Sequence, residues 1–215
     1  MFPAVPPQIA YPDAAAYTRL LDIHSPLALV DTKKITAKEI ETVPVVPFYS
    51  QFKDIASAKW QKVGCGITSL AMIIEYYDPQ DVSVNKLLNE GIAAGAYLNN
   101  AGWTYAGLIN VSKKYGMAGS SHDLGKSGMS AAYTQLKGYL EDGPVIVSVH
   151  YKMDPKSTIP HLVVVTGIDG DTVYYNDPAA KAGGKSISSS DFKKAWKKRF
   201  IVVRPMIATK AKANT

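Results

Sequence analysis

A single cysteine occurs in the chain, Cys65, set between two glycines in KWQKVGCGITSLAMIIEYY and followed at once by an apolar run. A thiolate is a strong nucleophile and a thiol a poor one, so its placement decides its chemistry. The first turn of a helix offers free amide groups and the positive end of the helix dipole, and both lower a cysteine pKa. Gly64 and Gly66 permit a tight chain entry and the close approach of a substrate backbone. A buried structural thiol is the competing reading of any isolated cysteine. Partners elsewhere in the chain separate the two readings, because a catalytic thiolate needs a base and the base needs an orienting group.

Four histidines are available. His24 falls in an N-terminal extension and His122 in a Gly/Ser-rich stretch, GSSHDLG, where solvation is expected. His150 ends a β-branched run. His161 opens HLVVVTGIDG, the most apolar run in the chain, which suits an imidazole held rigidly at the rim of a sheet. Asp169-Gly170-Asp171 reads as a tight hairpin turn, and the returning strand, DTVYYNDP, ends beside the start of the first. Positions summing to about 340 then lie opposite one another, which brings Asp177 near His161. Alternation turns Asn176 to the other face, so Asp177 is the acceptor that would fix the imidazole tautomer. Taken alone, Asn-Asp-Pro is ordinary turn chemistry.

The elements that must hold these groups follow from periodicity. Leu70, Ile73, Ile74 and Tyr77 predict a helix from Gly66 to about Tyr77, ended by Asp78-Pro79. Further helices are predicted over 83–92 with a serine cap, over 101–117 with a stop at Gly116, and over 129–144 with a stop at Gly143-Pro144. The period then changes, and 144–151, 161–170, 171–178 and 200–205 read as strands. Residues 42–51 read as extended, since the prolines disfavour helix. Helices followed by an antiparallel meander predict an α+β domain in which the cysteine helix packs on the sheet. A short helix over 13–23, capped by Asp13, belongs to an extension over residues 1–40. The domain proper covers 41–205, with a polar tail over 206–215.

Composition bounds the function. The 215 residues are 47% hydrophobic and 20% charged, enough to bury a core without disulfide staples. One cysteine permits neither an internal disulfide nor a thiolate metal cluster. The formal charge of +6 comes partly from FKKAWKKRF and TKAKA, a pattern of a solvated helix face and a tail, so no nucleic-acid partner is expected. No run reaches the roughly 18 apolar residues of a membrane span, and MFPAVPPQIAYPDAAAYTRL lacks the layout of a signal peptide. Asp169 and Asp171 flank a turn glycine, so no metal is assigned, and no cofactor is called for. Trp60, Trp103 and Trp196 read as core or cleft walls, Trp103 in AGWTYAGL being the best candidate for a cleft. Oligomeric state leaves no mark on the sequence.

VPFYSQ, then GCGITSLAMIIEYY, GPVIVSV, HLVVVTGIDGDTVYYNDP and a final F…W before the last strand, taken together, resemble the papain-like cysteine peptidases of the bacteriocin-processing type, in particular their family 39-like bacterial branch. The resemblance covers about residues 43–205, with the cysteine, histidine and aspartate in order and 96 and 16 residues apart. It implies a papain-like fold, with N-terminal helices packed on an antiparallel sheet, and a Cys-His-Asp triad. By position, Cys65 matches the nucleophile, His161 the base and Asp177 the orienter. The family also uses a glutamine upstream of the cysteine as an oxyanion donor. Gln51 matches the VPxxSQ pattern; Gln61 lies nearer to Cys65 but in a different phrase.

The resemblance implies a thiol hydrolase acting on peptide or isopeptide bonds of a peptide or protein substrate. The same triad also supports acyl transfer or amidase chemistry, and a catalytically inactive domain that binds peptide or cell-wall fragments is the reading from a different class. Loops near 119–128 and 152–160 are expected to flank the cleft, and residues 1–40 to cover part of it. The resemblance further implies an extracellular or cell-envelope location if a leader has been removed.

Overall fold

The structure is a computed structural model that describes residues 45–79, 82–99 and 102–206. The expected helix over 13–23, His24, the arm over the cleft and residues 207–215 of the tail lie outside the described residues. Six helices are described: α1 (Ala58–Gln61), α2 (Cys65–Tyr77), α3 (Val84–Ala93), α4 (Tyr105–Ser112), α5 (Met129–Glu141) and α6 (Ser189–Ala195). Eight strands accompany them: β1 (Tyr97–Leu98), β2 (Gly102–Trp103), β3 (Met117–Asp123), β4 (Val145–His150), β5 (Pro160–Asp169), β6 (Thr172–Asn176), β7 (Lys185–Ser188) and β8 (Trp196–Pro205). Six of these form one antiparallel sheet in the order β3-β8-β4-β5-β6-β7, while β1 and β2 pair separately.

The central strands are buried on both faces, which explains why their sequences read as continuous apolar runs. Successive side chains alternate between two cores. Ile146, Leu162, Val164, Ile201 and Val203 pack with α2, α3 and α4 on one face. Val145, Val147, Val163, Val165, Phe200 and Val202 pack with Leu136 of α5 and Phe192 of α6 on the other. The α+β reading and the packing of the cysteine helix on the sheet hold. Helices cover both faces, however, and α5 lies opposite α2.

Local signals account for the helix limits. Ser83 caps α3, its hydroxyl accepting from the Lys86 amide, and Thr104 caps α4 by accepting from that of Gly107. The helix expected over 101–117 begins four residues later, because Gly102 adopts φ +75° and pairs with Leu98 in a short ribbon. It closes through a 3₁₀ turn at Lys113–Tyr115 and Gly116 in the left-handed region, as its glycine stop predicts. Residues 45–50 form no strand ladder, and Pro47 has no amide to give one. The Gly/Ser-rich stretch at 117–123 is the edge strand β3 and not a loop beside the cleft. His122 is half-buried there, stacked 4.6 Å from Phe200, and burial lowers its pKa, contrary to the expected solvation. Among the described residues no helix is long and apolar enough to cross a membrane, and no cluster of three or more His, Cys, Asp or Glu side chains could hold a metal ion.

Candidate active site

Cys65 is the first residue of α2, and the residue before it, Gly64, has no side chain with which to cap the turn. The first-turn amides are therefore left for other acceptors. One of them, that of Gly66, bonds the Cys65 sulfur. One turn on, the Ser69 hydroxyl donates to the Leu162 carbonyl oxygen at 3.3 Å, and the Leu162 amide bonds the Cys65 sulfur. Residues four apart share a helix face, so this single docking of α2 on β5 sets Cys65 beside His161.

His161 is 4% exposed and its Nε2 lies 2.7 Å from Asp177 Oδ1. With Nε2 engaged, Nδ1 is the nitrogen left for the hydrogen bond between imidazole and Cys65. Tyr151 packs edge-on against the ring, centroids 5.2 Å apart. The hairpin that joins His161 to Asp177 starts with partners summing to 341, then shifts register between Val165 and Gly167 to sums of 340. Asp177 lies just beyond the end of β6, where Oδ1 also accepts from the Ala179 amide at 2.8 Å. The expected juxtaposition is present, reached from the end of the ladder rather than across it.

The segment before the triad loop is clamped to it. Asn176, on the other face as alternation requires, donates through Nδ2 to the carbonyl oxygens of Val46 and Pro47 at 3.3 and 3.2 Å. The Gln51 amide donates to the Pro178 carbonyl oxygen at 2.8 Å, and the Ser50 hydroxyl to that of Ala180 at 3.0 Å. The NDP triplet thus divides its work by residue. Asn176 and Pro178 hold the segment that carries Gln51, and Asp177 holds the imidazole.

Gln51 and Gln61 are distinguished by geometry. Gln51 lines the cleft with Cys65, and its Nε2 donates to the Gln61 carbonyl oxygen at 2.7 Å. Reversing the amide would set two oxygens against each other, so the orientation is fixed. The Gln61 side chain donates instead to the Ile55 carbonyl oxygen at 2.8 Å and is not part of the cleft wall. The nearer glutamine positions the farther one through its backbone.

Cys65, His161 and Gln51 open on a cleft of about 970 Å³. Trp103 forms part of its wall, its indole N–H donating to the Val63 carbonyl oxygen at 2.7 Å. A Cβ at position 66 would lie 2.8 Å from Trp103 Cβ and Cγ, so the glycine after the cysteine makes room for the tryptophan. That corrects the expectation that Gly66 clears space for substrate. Of the two loops expected at the cleft, 152–160 contributes Thr158, Ile159 and Pro160, and 119–128 contributes none of the wall. Ser148, Tyr105, Tyr151, Lys197 and Arg199 also line it, and nothing in the sequence had singled out these five. The phrase FKKAWKKRF, read as a solvated helix face, ends in β8.

Electrostatics favour an ion pair. Burial pushes the Cys65 thiol up, but the His161 hydrogen bond and charge, with the Leu162 and Gly66 amides, more than reverse this and leave its pKa below the ordinary value. Burial disfavours a charged His161 ring, yet its bonds to Asp177 and Cys65 raise it to about 9. Burial likewise acts against the Asp177 carboxylate and is outweighed by His161 and the Ala179 amide, so its pKa falls. These directions all favour the thiolate–imidazolium–carboxylate form over its neutral counterpart.

The profile of the Peptidase_C39 like family matches residues 44–200. No curated protein matches the chain. Among solved structures, a double-glycine-motif protease from an AMS/PCAT transporter, crystallised with its leader peptide, is 20% identical with a TM-score of 0.53, covering 78% of this chain and 96% of that one. The peptidase domain of Streptococcus ComA is 23% identical with a TM-score of 0.52, covering 67% and 93%. A C39-like peptidase from Bacillus anthracis is 21% identical with a TM-score of 0.53, covering 75% and 96%. These likenesses bear on the fold.

Proposed function

This chain belongs to the Peptidase_C39 like family of cysteine peptidases, and from that premise we propose that it hydrolyses peptide bonds through Cys65, His161, Asp177 and Gln51. The observation that carries the proposal is the His161–Asp177 contact of 2.7 Å beside a sulfur at the start of a helix, with Cys65, His161 and Gln51 on the wall of one cleft and Asp177 buried behind the imidazole.

The Cys65 thiolate attacks the scissile carbonyl carbon, and the carbonyl π pair moves onto oxygen. The developing oxyanion is met by the backbone N–H of Cys65 and by the second N–H of Gln51 Nε2, the first being held by Gln61. As the oxyanion collapses the C–N bond breaks, and the His161 imidazolium gives its proton to the departing amine. The acyl group remains as a thioester. Neutral His161 then takes a proton from water, the resulting hydroxide attacks, and the C–S bond breaks to release the acid. Asp177 accepts from Nε2 throughout, which keeps Nδ1 directed at the sulfur. The substrate is a peptide or protein segment, a class supported by the leader peptide held by one structural neighbour.

A degenerate peptide library incubated with the wild-type chain and with Cys65→Ala, read by mass spectrometry, tests this. Cleavage confined to the wild type is expected. Equal cleavage by the variant would overturn the proposal.

A further inference from the structure

Apart from Cys65 and His161, three side chains that line the cleft carry charge, and all three are cationic: Lys62, Lys197 and Arg199. No aspartate or glutamate is among the described residues of its wall. Lys62 precedes the cysteine turn, near Gln51. Lys197 and Arg199 lie at the other end, since Gln51 is tied to the segment after β6 whereas Arg199 belongs to β8, and the strand order β8-β4-β5-β6 separates the two.

The Lys197–Arg199 end is built by a bulge. Ser148 pairs with Arg199 but the next residue, Val149, pairs with Trp196, so two residues of β8 are left over. Lys198 takes φ +55° and donates from Nζ to the carbonyl oxygens of Gly125 and Ser127, both at 2.8 Å. The Trp196 indole N–H closes the bulge on the Arg199 carbonyl oxygen at 3.2 Å. A bulge re-aims the side chains around it, and this one turns Lys198 away and leaves Lys197 on the cleft wall. Lys197 has no ion-pair partner among the described residues. Arg199 gives its Nε to Asp123 Oδ2 at 2.9 Å, and its two terminal nitrogens have no partner there. Between this pair and the thiol stand Ser148 and Tyr105, hydrogen-bonded to one another.

We propose that Lys197 and Arg199 form a subsite for a carboxylate of the peptide substrate. The proposal rests on the cleft being the peptide-binding site described above. Two strand spacings separate β5 from β8, about 10 Å, and an extended peptide covers that in about three residues. The carboxylate therefore lies two to three residues from the bond that is cut. It belongs either to an acidic side chain or to a free chain terminus.

Binding of labelled peptides to the Cys65→Ala chain, followed by fluorescence anisotropy, tests the subsite without turnover. In the panel Glu, Gln or Lys is moved through each position of a six-residue peptide, with the C-terminus free or amidated. Peptides carrying Glu at one position are expected to bind about three- to tenfold more tightly than their Gln counterparts. The advantage should shrink as ionic strength rises from about 0.01 to about 1 M, where the Debye length falls from about 30 to about 3 Å. A preference that follows the free terminus and ignores internal Glu identifies the terminal carboxylate as the group bound. Lys197→Glu with Arg199→Glu should invert the order in favour of Lys peptides, which a misfolded protein would not do, while Lys197→Arg should keep it. Binding that ignores peptide charge, or an order that the double variant leaves unchanged, would overturn the subsite. Loss of library cleavage in the wild type, with the charge preference intact, would instead strike the catalytic reading.

Discussion

Removing the Asp177 carboxylate should collapse the ion pair from a distance. His161 is pushed from an ordinary 6.5 to about 9 by Asp177 and Cys65 against an unfavourable burial. Returning it to 6.5 corresponds to about 3 kcal/mol at 1.36 kcal/mol per pH unit, an order-of-magnitude figure shared between the two partners. At pH 8 a ring with a pKa of about 9 is about nine-tenths protonated; at 6.5 it is about 3% protonated, so the imidazolium falls by up to about 30-fold. The thiolate loses its counter-ion to the same extent. Asp177→Ala removes both charge and acceptor, whereas Asp177→Asn retains an oxygen for Nε2 and loses only the charge. The readout is the iodoacetamide alkylation rate of Cys65 against pH, by intact mass. The wild type should show a reactive plateau that starts below the ordinary thiol value of 9.0 and extends to about 9. In Asp177→Ala the plateau should give way to a single rise near the ordinary thiol value, with Asp177→Asn between the two. An Asp177→Ala profile superimposable on the wild type would refute the coupling.

Gln51→Ala should lower kcat for peptide cleavage by about 10²–10³ while leaving the Cys65 alkylation profile in place, because the amide serves the oxyanion and not the thiolate. A loss confined to KM would argue for substrate contact instead. Gly66→Ala forces a methyl to 2.8 Å from Trp103 and should cost about 1–3 kcal/mol of stability, measured by urea denaturation together with tryptophan emission; an unchanged midpoint would contradict the packing. The pH dependence of stability should show two opposed trends. The raised His161 contributes stability that is complete below about 6.5 and lost as pH rises through about 9, whereas the lowered Cys65 adds stability as pH rises from its own pKa to 9.0. Calorimetry should therefore show a shallow dependence of Tm between pH 6.5 and 9 in the wild type and a steeper fall in Cys65→Ala; identical slopes would contradict the pairing.

Much of this architecture is legible in the sequence because it rests on local signals. The helix at Cys65, its end at Asp78, the Ser83 cap and the Gly116 stop are written in a few residues each, and the hairpin at Gly170 is enough to bring Asp177 to His161. Other features have no local signature. Strand β3 carries AGSSHD, which has turn composition, and it becomes a strand only because β8 supplies a partner along its whole length. The bulge that brings Lys197 to the cleft depends on how β8 registers against β4, and no residue type announces it. The choice between Gln51 and Gln61 turns on which side chain is already engaged by the Ile55 carbonyl, a tertiary fact. Gly66 reads as clearance for a ligand and proves to be clearance for Trp103, since sequence reveals a missing Cβ but not what fills the space.

Acid-quenched intact-mass spectrometry of the chain while it turns over a peptide or an activated ester reads the covalent step itself. A single acyl adduct that maps to Cys65 and is absent from Cys65→Ala is the predicted result. Continued hydrolysis by Cys65→Ala, or an adduct mapped to another residue, would contradict it.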